Sequence, residues 1–354
     1  MRPTRQLHDL GQSLWLDNIT RGMLDNGRLA RHIAEDSITG VTSNPSILDA
    51  AFASGDSYDA AIRAMRRPGV RAAALVFALV LEDLRRAADL LRAVFDATAQ
   101  RDGWVSMEIS PLLANDGPGS LAAASYIHRQ AARENLLVKI PGTAAGLVAI
   151  EQAIYLGIPV NVTLLFSPAH YVAAAQAYMT GIERRLAVGK HVRVASVASL
   201  FVSRWDVAAN ADLPIDLRNR LGIAIAGLTY RAHRALLAAP RWQALAAAGA
   251  APQRLLWAST GSKEATMSDT LYVSALAAPD TINTLPEKTL RAFADHGRVD
   301  EAMPADGGEA DAILAEIALI GLDIDALAAR LQHEGVESFA TSWRRLLQRV
   351  ADQP

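Results

Sequence analysis

Eight short segments rich in β-branched or apolar residues recur along the chain, and Ala- and Leu-rich stretches of helical period separate them. They read SLWLDN from Ser13, GVTSNP from Gly40, GWVSMEIS from Gly103, LLVKIP from Leu136, PVNVTLLF from Pro159, VRVASVAS from Val192, RLLWAST from Arg254 and TINTLP from Thr281. Short apolar runs bounded by turn residues are expected to be strands. Strands that alternate with helices build a parallel sheet, and a count of eight favours a closed (β/α)8 TIM barrel over an open doubly wound sheet. Intervals 46–102 and 200–253 have room for additional helices, and a C-terminal helical tail over about residues 308–350 follows the last strand. These additions carry the 354-residue chain beyond the ~250 residues usual for such barrels. With no internal repeat, low-complexity tract or Pro/Gly/Ser linker, residues 1–354 are expected to form one domain.

Composition removes several function classes. The formal net charge is -2, so neither nucleic acid nor a membrane surface is an expected partner, and an anionic ligand would need a local cluster of cations. The absence of cysteine removes disulfides, thiolate catalysis and Cys-ligated metals, and fits a reducing cytoplasm. The start, MRPTRQLHDLGQ, is not followed by the apolar core of a signal peptide, so a cytoplasmic location is expected. The longest apolar stretch, AAALVFALVL at 72–81, is too short to span a bilayer and continues with helical spacing. The histidines show no metal-ligand spacing, no G-x-S-x-G elbow is present, and GKH at 189–191 is not a Walker loop. GPGSLA, at 117–122, fits a dinucleotide fingerprint only loosely and is expected to be a turn and helix start. No metal and no cofactor are expected.

Chemistry in this barrel belongs at the C-terminal ends of the strands, and the polar residues of the candidate strands concentrate there. Asp17 and Asn18 end the first, Ser43 and Asn44 the second, Glu108 and Ser110 the third, and Lys139 lies within the fourth. Asn161 and Thr163 lie in the fifth, Ser196 and Ser199 in the sixth with Arg204 just beyond, and Ser259, Thr260 and Lys263 end the seventh. Lys139 is the informative one. A lysine among Leu137, Val138 and Ile140 loses the hydration of its ammonium, so it is either paired, with Glu108 the nearest candidate, or held neutral as an amine able to attack a carbonyl. A Schiff-base cycle also needs proton transfers, which Glu108, through a neighbour such as Thr163, and Asp17, across the barrel, could divide. The alternative role for Asp17, a cap of the expected helix RGMLDNGRLARHIAE, suits Thr20 better. Arg204 and Lys263, with Ser199 and Ser262 nearby, stand where barrels often bind phosphate.

Taken in order, SLWLDNITRGML, GVTSNPSI, VSMEISP, LLVKIPGT, NVTLLFS, VASVASLFVSRWD, WASTGSK and NTLPEKTL resemble the successive motifs of the transaldolases, in particular the longer bacterial type. The resemblance implies a cofactor-free enzyme that moves a dihydroxyacetone unit between sugar phosphates in the non-oxidative pentose phosphate pathway. It implies Lys139 as the Schiff-base lysine, Asp17 as the acid/base for aldol cleavage, and Glu108 with Thr163 as the pair that positions a water. It further implies Asn44 and Asn161 as ligands of substrate hydroxyls and Ser199 and Arg204 as contacts to the sugar or its phosphate, with Lys263 matching loosely. A fructose 6-phosphate aldolase of the same superfamily is the nearest alternative, and a non-catalytic sugar-phosphate-binding barrel the alternative from another class. The oligomeric state is open, a homo-oligomer included.

Overall fold

The computed structural model describes residues 2–53, 57–262 and 267–353. Its strands are β1 Ser13–Leu16, β2 Ile38–Val41, β3 Trp104–Glu108, β4 Leu136–Pro141, β5 Val160–Leu165, β6 Ser196–Phe201, β7 Arg254–Ala258 and β8 Ile282–Leu285. Each pairs in parallel with its sequence neighbours, and β8 returns to β1, closing the barrel in the order β1 to β8. All eight are buried along nearly their whole length, as expected of strands covered on one face by helices and filled on the other by side chains.

Short connections carry the caps that start the outer helices. Thr143, two residues beyond β4, accepts from the Gly146 N–H and opens the helix Ala144–Leu156; Ser167 does the same for Pro168–Ala187. Asp116 caps Gly117–Ala131, so GPGSLA is the helix start it was expected to be. Thr20 caps Arg21–Asp25 through the Met23 N–H, which leaves Asp17 out of the cap.

Several boundaries differ from expectation for local reasons. The helix expected over residues 21–35 is two, Arg21–Asp25 and Arg28–Glu35, because Gly27 adopts φ +71° between them. β2 begins two residues before Gly40, and β6 begins four residues after Val192, since Arg193 is solvent-exposed and pairing starts only at Ser196. The tail divides at Gly321 into Ala310–Leu319 and a long C-terminal helix, Ile324–Asp352, capped by Asp323. Extra helices occupy both long intervals, among them Pro45–Ala53, Ala72–Leu90 and Leu221–Ala238. No helix among the described residues is long and apolar enough to cross a membrane.

The barrel floor is an ionic plug. Arg254, at the start of β7, donates to Asp102 Oδ1 at 3.1 Å, to Ser13 Oγ at 2.6 Å and to the Thr281 carbonyl at 3.0 Å. Ser13 Oγ donates to Asp102 Oδ2 at 2.6 Å, and Trp15 Nε1 reaches the other oxygen at 3.3 Å. Trp15 lies over Gly40, where an added Cβ would fall 2.5 Å from the indole. Gly40→Ala is therefore expected to destabilise the barrel by about 3 kcal/mol, seen as a lower urea midpoint with an unchanged m value. An unchanged midpoint would mean that the indole moves aside freely.

A second buried polar group gives a pH signature. His233 is 1% exposed, and its Nδ1 lies 2.7 Å from the Tyr171 hydroxyl. Burial, with Arg234 and Arg254 adding to it and Asp280 opposing, pushes this imidazole down to about 4. The unfolded chain then binds more protons than the folded one between about pH 4 and pH 6.5, so the histidine's contribution is complete above that window and is lost as pH falls through it. His233→Gln should narrow the stability gap to wild type by roughly 3 kcal/mol between pH 7 and pH 4 in denaturant titrations. An equal gap at both pH values would count against a neutral buried imidazole.

Candidate active site

The C-terminal mouth gathers most of the expected polar residues, whereas Ser196 opens β6 at the opposite end of the barrel. Lys139, with its side chain 5% exposed, projects from β4 beside Glu108 of β3, its register partner, whose side chain is 3% exposed. The Lys139 Nζ is 3.3 Å from Glu108 Oε2 and donates to the Ser43 carbonyl, at the end of β2, at 3.1 Å. The ammonium and carboxylate are thus within ion-pair distance without hydrogen-bond alignment, and both Glu108 oxygens are buried without a hydrogen-bond partner among the described residues. Burial holds the Glu108 carboxyl above the usual carboxylate range, and Lys139 pulls it part of the way back. A carboxyl raised this way holds its proton more readily than an ordinary carboxylate, which favours a role as general acid/base.

Asn161, in register with Lys139 on β5, is fully buried. It donates to Ser106 Oγ at 3.1 Å and accepts from Ser199 Oγ at 2.7 Å, a bridge joining β3, β5 and β6 across the interior. One amide hydrogen and one lone pair of Asn161 remain for a ligand. The hydroxyl proton of Ser199 is committed to Asn161, so Ser199 orients that amide in this arrangement. Thr163, two residues further along β5, is fully buried, and its Oγ1 has no hydrogen-bond partner. Two carboxylate oxygens and one hydroxyl left unbonded among apolar walls cost free energy that a bound water or substrate would recover.

Asp17 directly follows β1, is half-buried, and its backbone N–H donates to the Leu285 carbonyl at 3.0 Å. Asn44, three residues after β2, is half-buried and spends its side-chain oxygen on the Ile47 N–H, capping Pro45–Ala53, which leaves its amide hydrogens for other partners. Arg204 stands in the first turn of Ser203–Ala209, beyond β6. Burial lowers the pKa of its guanidinium and Glu334 of the C-terminal helix opposes that, but no carboxylate lies within salt-bridge distance of it among the described residues. Lys263 lies outside the described residues.

Three contributors were not legible as site residues. Ser106 lies two positions before Glu108, and strand period alone could have placed it on the same inner face. The Ser43 carbonyl carries no sequence signal. Gln332, in the C-terminal helix, donates from Nε2 to the carbonyls of Leu164 at 2.9 Å and Gly142 at 3.2 Å, tying together the ends of β5 and β4. Leu164 has φ +60°, and the β5–β6 register shifts around it, so this amide braces a strained residue adjacent to Thr163.

An inward lysine on β4 thus lies beside a carboxylate on β3 and is ringed by amide and hydroxyl groups on β5 and β6. A family model described as Transaldolase/Fructose-6-phosphate aldolase matches residues 14–350. The chain belongs to this family. It is 46% identical to a transaldolase of Thiobacillus denitrificans over 99% of this chain and 100% of that protein. A transaldolase of Thermobifida fusca is 42% identical over 99% and 98% of the two chains, and one of Neisseria gonorrhoeae 41% identical over 96% of each. Family membership accounts for the barrel and its added helices together, since the matched span includes most of the C-terminal helix.

Proposed function

We propose that this chain is a transaldolase, passing a dihydroxyacetone unit from sedoheptulose 7-phosphate to glyceraldehyde 3-phosphate through an imine on Lys139. The observation that carries the reading is the buried Lys139–Glu108 pair at 3.3 Å, with Thr163 Oγ1 unbonded on the neighbouring strand. Transfer of the ammonium proton to Glu108 leaves two neutral groups in an apolar setting, and the amine can then attack the ketose carbonyl. Glu108, working through a water held with Thr163, supplies the proton with which the carbinolamine loses water. Asp17 takes the proton of the C4 hydroxyl as the C3–C4 bond breaks; the bonding pair moves toward the iminium and the aldose phosphate leaves. The same carboxyl returns that proton when the three-carbon unit attacks the acceptor aldehyde. Asn44 and Asn161 hold substrate hydroxyls, Ser199 orients Asn161, and Arg204 supplies charge for the phosphate, with Lys263 a further cation in the sequence after β7.

Barrel and C-terminal helix act as one domain in this reading, because Gln332 braces the two strands that carry Lys139 and Thr163. A cytoplasmic location suits the cysteine-free chain. The deciding assay supplies fructose 6-phosphate with and without erythrose 4-phosphate. Beyond one equivalent per enzyme, glyceraldehyde 3-phosphate should form only with the acceptor, and free dihydroxyacetone should not accumulate. Dihydroxyacetone released at the same rate with or without acceptor would assign the chain to the aldolase branch instead.

A further inference from the structure

A sizeable cavity lies at the other end of the barrel. About 650 Å³ opens at the N-terminal mouth, below the strand starts Trp104, Leu137, Ser196 and Arg254. That volume is in the range of small-molecule sites. Its walls are mixed: Phe95, Trp104 and Trp242 supply aromatic surface, with Phe95 and Trp104 in edge contact at 5.0 Å. Arg101, Arg193 and Arg254 supply cations.

The charges of this lining do not cancel. Arg101 pairs with Asp280 at 3.1 Å, and Arg254 with Asp102 at 3.1 Å. Glu134, the other acidic group of the wall, is held by Arg92 at 3.0 Å. Among the described residues Arg193 bonds only the Ala99 carbonyl, and Asp280 is shared with Arg234 at 3.4 Å, so positive charge is in excess. Two buried nitrogens of the lining also lack partners, Arg254 Nε and His233 Nε2. The buried Tyr171 hydroxyl has His233 Nδ1 as its hydrogen-bond partner; donating its proton there leaves the hydrogen of the neutral imidazole on Nε2. Both nitrogens are then unsatisfied N–H donors, each more than nine-tenths buried with its residue, in the wall behind a cavity with excess positive charge.

We propose that this mouth is a second binding site, separate from the Lys139 end, for a small organic monoanion with a flat apolar body. The aromatic walls take the body and Arg193 pairs with the anionic group at the rim, while the buried nitrogens of Arg254 and His233 add to the positive potential behind the wall. Leu137 and Val197 close the cavity toward the barrel interior, two residues before Lys139 and Ser199 on the same strands, so the two sites share β4 and β6 without sharing a ligand.

Isothermal titration of the full chain with 2-naphthoate, and with its neutral counterpart 2-naphthamide, tests this. Naphthoate should bind one saturable site, with naphthamide weaker by about tenfold or more. Arg193→Gln, a change at an exposed side chain, should weaken naphthoate by about tenfold and erase the preference for the anion while turnover stays at the wild-type rate. Saturating fructose 6-phosphate should leave naphthoate binding unchanged. Four results would each overturn the assignment: no saturable binding at millimolar naphthoate, equal affinity for the amide, an unaffected Arg193→Gln variant, or displacement by the sugar phosphate.

Discussion

Lys139→Ala should lower transfer activity by about a thousandfold or more while leaving the protein folded, because no neighbouring group can replace an amine that forms a covalent bond with the substrate. The fold should persist for an electrostatic reason. Removing the ammonium takes away the Lys139 interactions that lower the Glu108 pKa, so burial pushes this carboxyl further toward its neutral form, which limits the uncompensated charge left in the barrel. Lys139→Arg provides the complementary control: it keeps a cation near Glu108 but supplies no nucleophilic amine, and it should be as inactive as the alanine variant. Incubation with fructose 6-phosphate and reduction by borohydride should add the mass of a dihydroxyacetone unit to the peptide containing Lys139 of wild type and to no peptide of either variant. An adduct on another lysine, or substantial turnover by Lys139→Arg, would remove Lys139 from its role.

The second large effect separates the two carboxylates. Glu108 is buried 3.3 Å from the amine, whereas Asp17 is half-buried at the end of β1, three strands around the ring from β4. Glu108→Ala should therefore slow borohydride trapping by about 10²- to 10⁴-fold, since it removes the proton transfers that make and hydrolyse the imine. Asp17→Ala should trap at close to the wild-type rate yet lose cleavage by a similar factor, so that intact ketose accumulates on Lys139. The adduct masses distinguish the cases: a whole hexose phosphate with Asp17→Ala, a three-carbon unit with wild type. Equal trapping rates in the two variants would sink this division of labour. The pH profile gives an independent check. Because burial raises the Glu108 pKa, the acidic limb of imine formation should lie above the ordinary carboxylate range, and Glu108→Gln should abolish that limb.

The two ends of the barrel differ in how much the chain reveals of them. Lys139, Glu108, Asn161 and Thr163 stand out because each is a polar residue in an apolar run, and strand period then places them on one inner face. Their surroundings are less visible. Ser43 contributes a backbone carbonyl, and Gln332 comes from 168 residues beyond Leu164, so neither carries a local pattern. The ionic plug was missed for the same reason: Arg254 opens β7 and Asp102 precedes β3, two unremarkable surface-type residues until closure of the barrel brings them within 3.1 Å. Element boundaries moved where one residue's conformation outweighed hydrophobic period, as at Gly27 and Gly321.

From its sequence alone the protein was determined to be an eight-stranded parallel barrel with a helical tail, carrying a lysine and two carboxylates at strand ends. Those features are periodic or local, and hydrophobic burial enforces them wherever the chain goes. Only the tertiary structure decided that the Lys139 amine meets Glu108 and the Ser43 carbonyl, that Ser199 is committed to Asn161, that Gln332 braces a strained Leu164, and that a positively charged cavity opens at the far mouth. Ion pairs and hydrogen bonds act over a few ångströms and depend on angle, so they are set by strand register and barrel closure, which join residues that no sequence spacing relates.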